Sequence, residues 1–404
     1  MPVGIVSDQG PLPPAVLPAE LLPYGVAKLR ADGMSQVQIA NRLGLSQGFV
    51  SKLLTKLVDE NSLTSVTIVS PNFRQHPQWQ QMIDQLETGR DIAVALQQLS
   101  PVGRRFRLEL VRPGPHEPHG FEQAAAPVVQ QLLVHVRRLG IGCGATIAGI
   151  MRELGPLLPT LEHPPHVIPI VGEPTHLTNV DQSQKNSATL MAELFRHALG
   201  SSDSHAVLRG VAAYIPRRFA QRGGIAEFFH SVPGYRTIFG SDDDANSAEI
   251  NKLDCIITGA GIVSPAQPEL QGTLIRERLA QENLDCNHQI EPETLDRLVY
   301  GDLAGILIPR QKISPAGRKL VETLNKGLTG LRRAHLERVC QMADGTSSPG
   351  VVLIAFGEQK LELIREIIRT GLATTLVTTL ESARQLASSN GVSAVRPARR
   401  VKNK

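Results

Sequence analysis

The sequence is poor in cysteine and has no long apolar run. The four cysteines, Cys143, Cys255, Cys286 and Cys340, form no Cys-x-x-Cys pair. A disulfide framework is therefore not expected, and a reducing cytoplasm is the predicted compartment. The first residues lack the basic start of a secretory leader. No stretch of about 18 apolar residues occurs, so the sequence predicts no spanning helix and no membrane partner.

An excess of charge of one sign is also missing. The chain has 42 basic and 38 acidic residues, a net charge of +4, which permits a nucleic-acid partner without requiring one. Several of the basic groups lie at the very end of the chain, where we expect a solvated tail. They are Arg396, Arg399, Arg400, Lys402 and Lys404.

What the chain does have is enough apolar residues, 41% of 404, to bury sizeable cores, and a length that fits about two or three domains. The composition and the motifs below predict five segments. They are a disordered N-terminus at 1–18, a helix-turn-helix DNA-binding domain at 19–70, a connector at 71–120, an effector-binding and oligomerisation domain at 121–390, and a basic tail at 391–404.

The segment Gln36–Thr55, QVQIANRLGLSQGFVSKLLT, has the residue pattern of a helix-turn-helix. Its fifth residue, Ala40, is small where the two helices approach each other. Its ninth, Gly44, can take the left-handed conformation of the turn, and its fifteenth, Val50, is apolar and anchors the second helix. The alternative is an ordinary pair of helices in a helical domain. The remaining inward positions are Ile39, Leu43, Leu45 and Leu53.

The outward face of this motif carries residues that suit double-stranded operator DNA. Glutamine and serine can read base edges, lysine contacts phosphates, and the N-terminus of the first helix can lie near a phosphate. The predicted DNA-binding residues are Gln36, Ser46, Gln47, Gly48, Ser51, Lys52 and Lys56, of which Ser46 also caps the second helix. Because one such motif reads a half-site, we expect a homodimer or homotetramer. The alternating segment Leu63–Val69 is a candidate wing.

From Phe121 to about Ser388, short apolar runs alternate with helical patterns, which predicts an α/β domain with a mainly parallel sheet. Before it, Gln78–Leu99 is predicted to be helical and Arg104–Val111 to be a strand, followed by an exposed connector at Arg112–Gly120. The apolar runs are Leu139–Ile141, Val167–Val171, Val211–Ile215, Leu253–Ile257, Val351–Ala355 and Thr374–Val377.

A glycine-rich turn follows the first of these runs, in LGIGCGATIAGI, Leu139–Ile150. Such a turn exposes backbone N–H groups at a helix N-terminus and favours an anion, typically phosphate. Tight packing of a strand against a helix explains the same glycines. The segment is neither a Walker motif nor a dinucleotide fingerprint, because it lacks the Gly-Lys-Ser/Thr ending and the full GxGxxG spacing.

Short motifs recur in a fixed order along the chain. GLSQGFVSKLL lies in the predicted helix-turn-helix, and Gly140–Thr146 is similar to a loop written GVGWGTT, followed by a strand that ends in glycine at Val167–Gly172. Leu253–Ile262 is similar to aDialiGIG, Tyr300–Gly305 to vGDi.G, and Val351–Ala387 to agG..K..AI…g..n.LiTDe.tA..L. In this order the motifs resemble the SorC family of sugar-binding transcriptional regulators over most of the chain.

The resemblance implies a C-terminal domain with the fold of phosphosugar isomerases and deaminases. In the family this domain binds a phosphorylated sugar without converting it, and it oligomerises. The resemblance therefore implies a transcriptional regulator, not an enzyme, whose operator binding is modulated by a sugar-phosphate effector, with no cofactor. The implied effector-binding residues are Gly142, Cys143, Gly144, Ala145, Thr146, Gly259, Gly261 and Lys360.

The chain departs from the family pattern at several positions. Cys143 and Ala145 replace the tryptophan and the first threonine of the loop, and Thr378–Leu380 replaces the Thr-Asp-Glu triplet. Leu307–Arg310 reads LIPR where the family often has a further aspartate. These changes leave two alternatives open: a DNA-binding protein with a ligand-free oligomerisation domain, and an isomerase-fold enzyme with an accessory DNA-binding domain.

Other patterns predict no catalytic or metal site. The histidine pairs His116/His119 and His163/His166 lie in proline-rich segments with few acidic or thiol neighbours, which favours solvated loop histidines. The acidic run Asp242–Asp244 lacks the spacing of a calcium loop. Cys143 has no histidine placed to activate it, so a small buried thiol is the prediction.

Overall fold

The computed structural model describes a large part of the chain and divides it into two compact units. Unit 1 comprises Met1–Leu96, Leu108–Leu110 and Ala387–Lys404, and unit 2 comprises Gln97–Arg107 and Val111–Leu386. The residues described are 22–31, 34–59, 63–65, 68–69, 89, 91–111, 120–161, 163–174, 187–198, 211–216, 219, 222–232, 234–240, 248–266, 272–283, 290–344 and 348–388.

Three of the described helices in unit 1 share a small apolar core. The helices are α1 (Leu22–Ala31), α2 (Gln36–Leu43) and α3 (Gln47–Asp59). They are followed by two short antiparallel strands, β1 (Leu63–Ser65) and β2 (Ile68–Val69), which fall in the segment predicted as a wing. The buried core residues are Val26, Ala27, Leu29, Ile39, Ala40, Leu43, Val50 and Leu54. Of the predicted helix Gln78–Leu99, residues 91–99 are helical (α4), and residues 78–88 lie outside the described residues.

After β2, the described residues form a six-stranded sheet in the order β3-β11-β10-β6-β4-β5 and a three-stranded sheet in the order β7-β8-β9. The strands are β3 (Arg107–Val111), β4 (Arg138–Ile141), β5 (His166–Pro169), β6 (Cys255–Thr258), β7 (Ala260–Ile262), β8 (Val299–Leu303), β9 (Ile306–Pro309), β10 (Gly350–Ile354) and β11 (Thr375–Thr379).

The pairs β4–β5, β4–β6, β6–β10 and β10–β11 are all parallel, which confirms the mainly parallel sheet. One apolar run differs from its prediction. Val211–Ile215 does not form a strand; it makes only isolated bridges, Ala212 with Glu173 and Tyr214 with Leu328. These bridges connect the run to segments outside the six-stranded sheet. Its residues are therefore apolar because they are buried, and not because they belong to that sheet.

Further helices follow in the described part of the chain. They are α5 (Gly120–Leu133), α6 (Ala145–Leu154), α7 (Ala188–Ala198), α8 (Gly223–Ser231), α9 (Tyr235–Phe239), α10 (Thr273–Asn283), α11 (Pro292–Leu298), α12 (Pro315–Asn325), α13 (Arg333–Met342), α14 (Leu361–Arg369) and α15 (Leu380–Ser388). The largest core packs α5, α6 and α7 against one face of the sheet, where Ile141, Ile257 and Ile354 are buried. The three-stranded antiparallel sheet, in contrast, packs against α14.

Both the parallel pairing and the order of the strands bring the carboxyl ends of β4, β6 and β10 to one edge of the sheet. The segments that leave this edge include the glycine-rich loop before α6, the Gly259–Gly261 segment and the short 3₁₀ turn Glu358–Lys360. In open parallel sheets this edge is where ligands bind. Among the described residues, no helix is long and apolar enough to cross a membrane.

Candidate functional site

The turn between α2 and α3 has the geometry that the sequence predicted. Gly44 has φ 65° and ψ 32°, the left-handed conformation, and its N–H donates to the carbonyl of Ala40. The N–H of Leu45 donates to the same carbonyl at 2.9 Å. A residue with a Cβ is strained in this conformation, so glycine at position 44 lets the chain reverse in a tight turn.

The start of α2 is fixed by a capping box that the motif analysis missed. The Ser35 hydroxyl accepts from the N–H of Gln38 at 3.2 Å, and the Gln38 side chain accepts from the N–H of Ser35 at 2.8 Å. The signal was present in the sequence, because Ser-x-x-Gln before an apolar position is typical of a helix N-terminus. The first residue of α2, Gln36, is half-buried.

Apart from the exposed Phe49, the outward side of α3 is polar in its first two turns. Ser46 caps the helix, since its hydroxyl accepts from the N–H of Phe49 at 3.2 Å. Gln47 and Gly48 are exposed, whereas Ser51 is half-buried, contrary to its expected exposure. The lysines Lys52 and Lys56 are exposed as well. The predicted inward residues Leu45 and Leu53 pack against the core but stay partly exposed.

In unit 2, the predicted effector loop is shaped by two glycines with different surroundings. Gly142 donates its N–H to the carbonyl of Ile257 at 2.9 Å, and a Cβ on it would lie 2.7 Å from the Thr258 hydroxyl. Gly142 is therefore required by packing. Gly144 has φ 133° and precedes α6 without any side-chain cap, and a Cβ built on it meets nothing within 4 Å. The backbone at Gly144 therefore faces open space.

Gly259 and Gly261 differ in the same way. A Cβ on Gly259 would make only ordinary contacts, 3.7 Å from Ile147 and 3.8 Å from the carbonyl of Ile354. A Cβ on Gly261 would overlap a carboxylate oxygen of Asp302, which lies directly opposite it on the paired strand β8. The absence of a side chain at Gly261 thus allows the Asp302 carboxylate to approach strand β7, in which Gly261 lies.

Asp302 is a buried side chain at this site that was not among the predicted site residues. Its side chain accepts from the N–H of Gly305 at 2.8 Å. The neighbouring Arg278 donates to the Gly305 carbonyl and lies over the ring of Tyr214, 5.1 Å from its centroid. Burial raises the pKa of Asp302, and the Gly305 hydrogen bond and the positive charges of Arg278 and Lys360 oppose that rise.

Lys360 lies close enough to Asp302 for the two charges to interact. Burial lowers the pKa of Lys360, and the Asp302 carboxylate opposes that shift. Among the described residues, Lys360 forms no ion pair within 4.0 Å, although its turn packs against β7. Lys360 is therefore a half-buried cation with an amine available to a ligand.

Asp302 also connects Lys360 to the glycine-rich loop. Burial raises the pKa of Cys143, and the carboxylates of Asp302, Glu173 and Glu277 raise it further, in that order. Glu173 is oriented by the Ser187 hydroxyl, which donates to it at 2.8 Å. The structure thus brings the loop, Gly261 and Lys360 to one place, together with carboxylates that the sequence analysis did not predict. Cys143 is half-buried as a residue, but burial is the main cause of the raised pKa of its thiol, which agrees with the predicted small buried thiol.

The remaining loop residues also lie where α6 begins. Ala145 is exposed and Thr146 is half-buried in its first turn. Thr378, which stands at the threonine of the family triplet, is fully buried in β11, and its hydroxyl has no hydrogen-bond partner within the described part of the chain.

Of the predicted loop histidines and acidic run, the structure describes only His163 and His166. No group of three or more histidine, cysteine or acidic side chains that would hold a metal occurs among the residues the structure describes. His166 begins β5, so the prediction that it lies in a loop is wrong. His116, His119 and Asp242–Asp244 lie outside the described residues.

Comparison with known proteins finds similarity in solved structures. A transcriptional regulator from Streptococcus pneumoniae TIGR4 has a TM-score of 0.50 at 13% identity, covering 76% of this chain and 98% of that one. The full-length sorbitol operon regulator SorC from Klebsiella pneumoniae has a TM-score of 0.49 at 17% identity, covering 91% of this chain and 98% of that one.

A domain of a possible sugar-binding transcriptional regulator from Arthrobacter aurescens TC1 has a TM-score of 0.47 at 17% identity, covering 72% and 96%. No family model matches the chain. No curated protein matches it either. The similarity to the Streptococcus pneumoniae structure shows a shared fold.

Proposed function

We propose that the chain is a DNA-binding transcriptional regulator of the SorC type, whose operator binding is modulated by a phosphorylated sugar. The observation that carries the proposal is the α2–turn–α3 unit. Its turn depends on Gly44, and its helices are capped by Ser35 and Ser46. Its own core is filled by apolar residues such as Ile39, Val50 and Leu54. Apart from Phe49, the outer side of α3 is polar and basic.

This outer side fits double-stranded DNA. A capped helix that projects exposed Gln47 from its first turn can reach base edges in the major groove. Lys52 and Lys56 extend farther along the helix and supply charge for phosphates. Gln36 at the start of α2 is the proposed contact of the helix N-terminus with a phosphate. These side chains set orientation and sequence preference together.

The edge of the parallel sheet is the proposed effector site. The uncapped start of α6, with open space at Gly144, offers backbone N–H groups to an anion, and Thr146 adds a hydroxyl. Lys360 adds a cation without an ion-pair partner among the described residues. The carboxylates Asp302 and Glu173 accept hydrogen bonds, so a ligand with both phosphate and hydroxyl groups matches this mixture.

Binding at this site regulates DNA affinity if the ligand prefers one of two states of the protein. We propose a two-fold homodimer or homotetramer acting in the cytoplasm, in which residues 19–70 bind DNA and residues 121–390 bind the effector and mediate assembly. One α2–α3 unit reads only a half-site, so two units in fixed relation supply a full operator contact.

A second candidate is supported by the carboxylates near Cys143. A sugar-phosphate isomerase needs an acid or a base close to its phosphate loop, and Glu173, Glu277 and Asp302 all act on the Cys143 thiol electrostatically. Phosphorus NMR of candidate sugar phosphates incubated with the protein distinguishes the two. Conversion of a sugar phosphate supports the enzyme, and binding without conversion supports the regulator.

Two measurements test the regulator. Fluorescence anisotropy with the DNA upstream of the protein's own coding region tests DNA binding, with a duplex of scrambled sequence as the control. Thermal unfolding with a panel of sugar phosphates tests the effector site, because a ligand that binds only the folded state raises the melting temperature. Equal affinity for both duplexes, with no sugar phosphate raising the melting temperature, would contradict the proposal.

A further inference from the structure

One large apolar side chain on α3 has no role in the fold of unit 1. Phe49 is 43% exposed, although it directly precedes Val50, which is fully buried. The core of this unit is filled by other residues, among them Val50 and Leu54 of the same helix, and Phe49 is not among the residues that pack against it. Its phenyl ring therefore contributes little to the stability of the unit.

The position of Phe49 is specific. Its N–H is the group that Ser46 caps, so it lies in the first turn of α3 beside Gln47 and Gly48. A Cβ built on Gly48 meets nothing within 4 Å, so the space beside this turn is open. Lys52 and Lys56 are exposed on the following turns. The Phe49 ring is thus an exposed apolar group among the polar and basic residues of the helix that is proposed to lie in the major groove of DNA.

We infer that Phe49 is a specificity-determining residue that contacts the C5-methyl group of a thymine in the operator. The inference rests on the proposed DNA-binding function. In the major groove, thymine is the base that presents a methyl group, and phenylalanine is among the side chains that contact it. The first turn of a recognition helix is the part that approaches base edges. A neighbouring Gln47 reads polar edges, so together the two select a site that contains thymine.

The test uses the full-length chain and starts from a pool of random-sequence duplexes, because the operator is not known. Duplexes bound by the unchanged protein are selected, and each thymine of the selected site is then replaced by uracil, which removes only the methyl group. Anisotropy titrations compare the unchanged protein with Phe49→Ala. The matched control is Val37→Ala, because Val37 is 48% exposed on α2 and lies off the recognition helix.

Replacing the contacted thymine with uracil is expected to weaken binding by the unchanged protein about threefold to fivefold, the effect of exposing roughly one methyl group. Phe49→Ala should weaken binding to the thymine duplex by at least as much, and uracil should then cause no further loss. Val37→Ala should keep the full uracil effect. Phe49→Leu, which keeps an apolar side chain, should keep most of it.

Two results would overturn the inference. The first is an equal uracil effect in the unchanged protein and in Phe49→Ala, since the methyl group would then be read by another residue. The second is a site at which no thymine is sensitive to uracil. Failure to select any duplex, in contrast, would remove the DNA-binding function itself. Unfolding curves of both alanine variants show whether each remains folded. If Phe49→Ala does not, Phe49→Gln decides the question, because it also removes the apolar ring and should lose the uracil effect.

Discussion

The turn at Gly44 and the loop at Gly142–Thr146 both depend on glycine, but for different physical reasons. Gly44 is required by its own backbone, since its φ of 65° is unfavourable for a residue with a side chain. Gly142 is required by a neighbour, because a Cβ there would lie 2.7 Å from the Thr258 hydroxyl, more than a hundred residues away in sequence. One constraint is local and the other comes from the assembled sheet.

This difference determines which structural constraints can be predicted from the sequence. A local constraint leaves a pattern within some twenty residues, and the whole α2–turn–α3 unit follows from one segment. A constraint from the assembled sheet joins residues that have no fixed spacing along the chain, such as Gly261 and Asp302. The two regions should therefore respond differently to substitution.

The largest effect is expected at the local turn. Gly44→Val places a β-branched residue in the left-handed conformation and should destabilise unit 1 by about 1–3 kcal/mol or more, enough to unfold a small core. Thermal unfolding and DNA binding measure the result. Gly48→Ala is the control, because its Cβ meets nothing within 4 Å and alanine favours a helix by roughly 0.5–1 kcal/mol. Equal stability of both variants would show that the turn is misassigned.

The second effect separates packing from ligand access in the sheet-edge site. Gly261→Ala should destabilise unit 2 by about 1–3 kcal/mol, because the added methyl group overlaps Asp302. Gly259→Ala makes only ordinary contacts and should leave the melting temperature nearly unchanged, while its methyl group hinders the proposed effector. Comparison of melting temperatures with and without sugar phosphate checks both expectations. A large loss of stability in Gly259→Ala would contradict them.

The third effect concerns charge at the same site. Lys360→Met should weaken binding of a sugar phosphate about tenfold or more, from loss of a charged contact that contributes about 1.5–3 kcal/mol. Isothermal titration measures it, with Lys319→Met, an exposed lysine on α12, as the control. Unchanged affinity in Lys360→Met would place the phosphate elsewhere.

The pKa of Lys360 adds a pH dependence with opposite signs for binding and folding. Burial lowers that pKa below its ordinary value of 10.5. Affinity for an anionic ligand should therefore fall as pH rises through the lowered pKa. In the window between the lowered value and 10.5, the unfolded chain holds more protons at this position, so its contribution to folding stability rises with pH. Lys360→Met should abolish both trends.

The smallest effect is expected at the proposed DNA-binding surface. Lys52→Ala removes one exposed cation, so it should weaken binding similarly for all sequences and reduce the slope of log affinity against log salt by about 1. Anisotropy at several salt concentrations measures the slope, again with Lys319→Ala as the control. An unchanged slope would mean that Lys52 does not contact a phosphate.

Local patterns predicted much of the architecture. The parallel sheet followed from apolar runs, and the reversal at Gly44 followed from a nine-residue count. The run Val211–Ile215 was wrongly predicted as a strand, since burial of apolar residues does not specify which backbone pairs with which. The place of Gly144 before a helix was predictable from the sequence, whereas the close approach of Asp302 to Gly261 was not.

The carboxylates at the proposed effector site were missed for the same reason. Glu173 follows β5, Glu277 lies in α10 and Asp302 lies in β8, and only the fold brings them near Cys143. Sequence motifs record the spacing of residues within one segment. They do not show which charged side chains from different segments come together in the fold. The proposed ligand chemistry therefore rests on the structure more than on the loop sequence.

The most direct test of the account is the linkage between the two proposed sites. Full-length protein is titrated onto the DNA upstream of its own coding region, followed by anisotropy, with and without each sugar phosphate of a panel. The account predicts specific binding whose affinity one sugar phosphate changes by about fivefold or more, the range of ordinary coupling between sites. Specific binding that no sugar phosphate alters, or no specific binding at all, would contradict it.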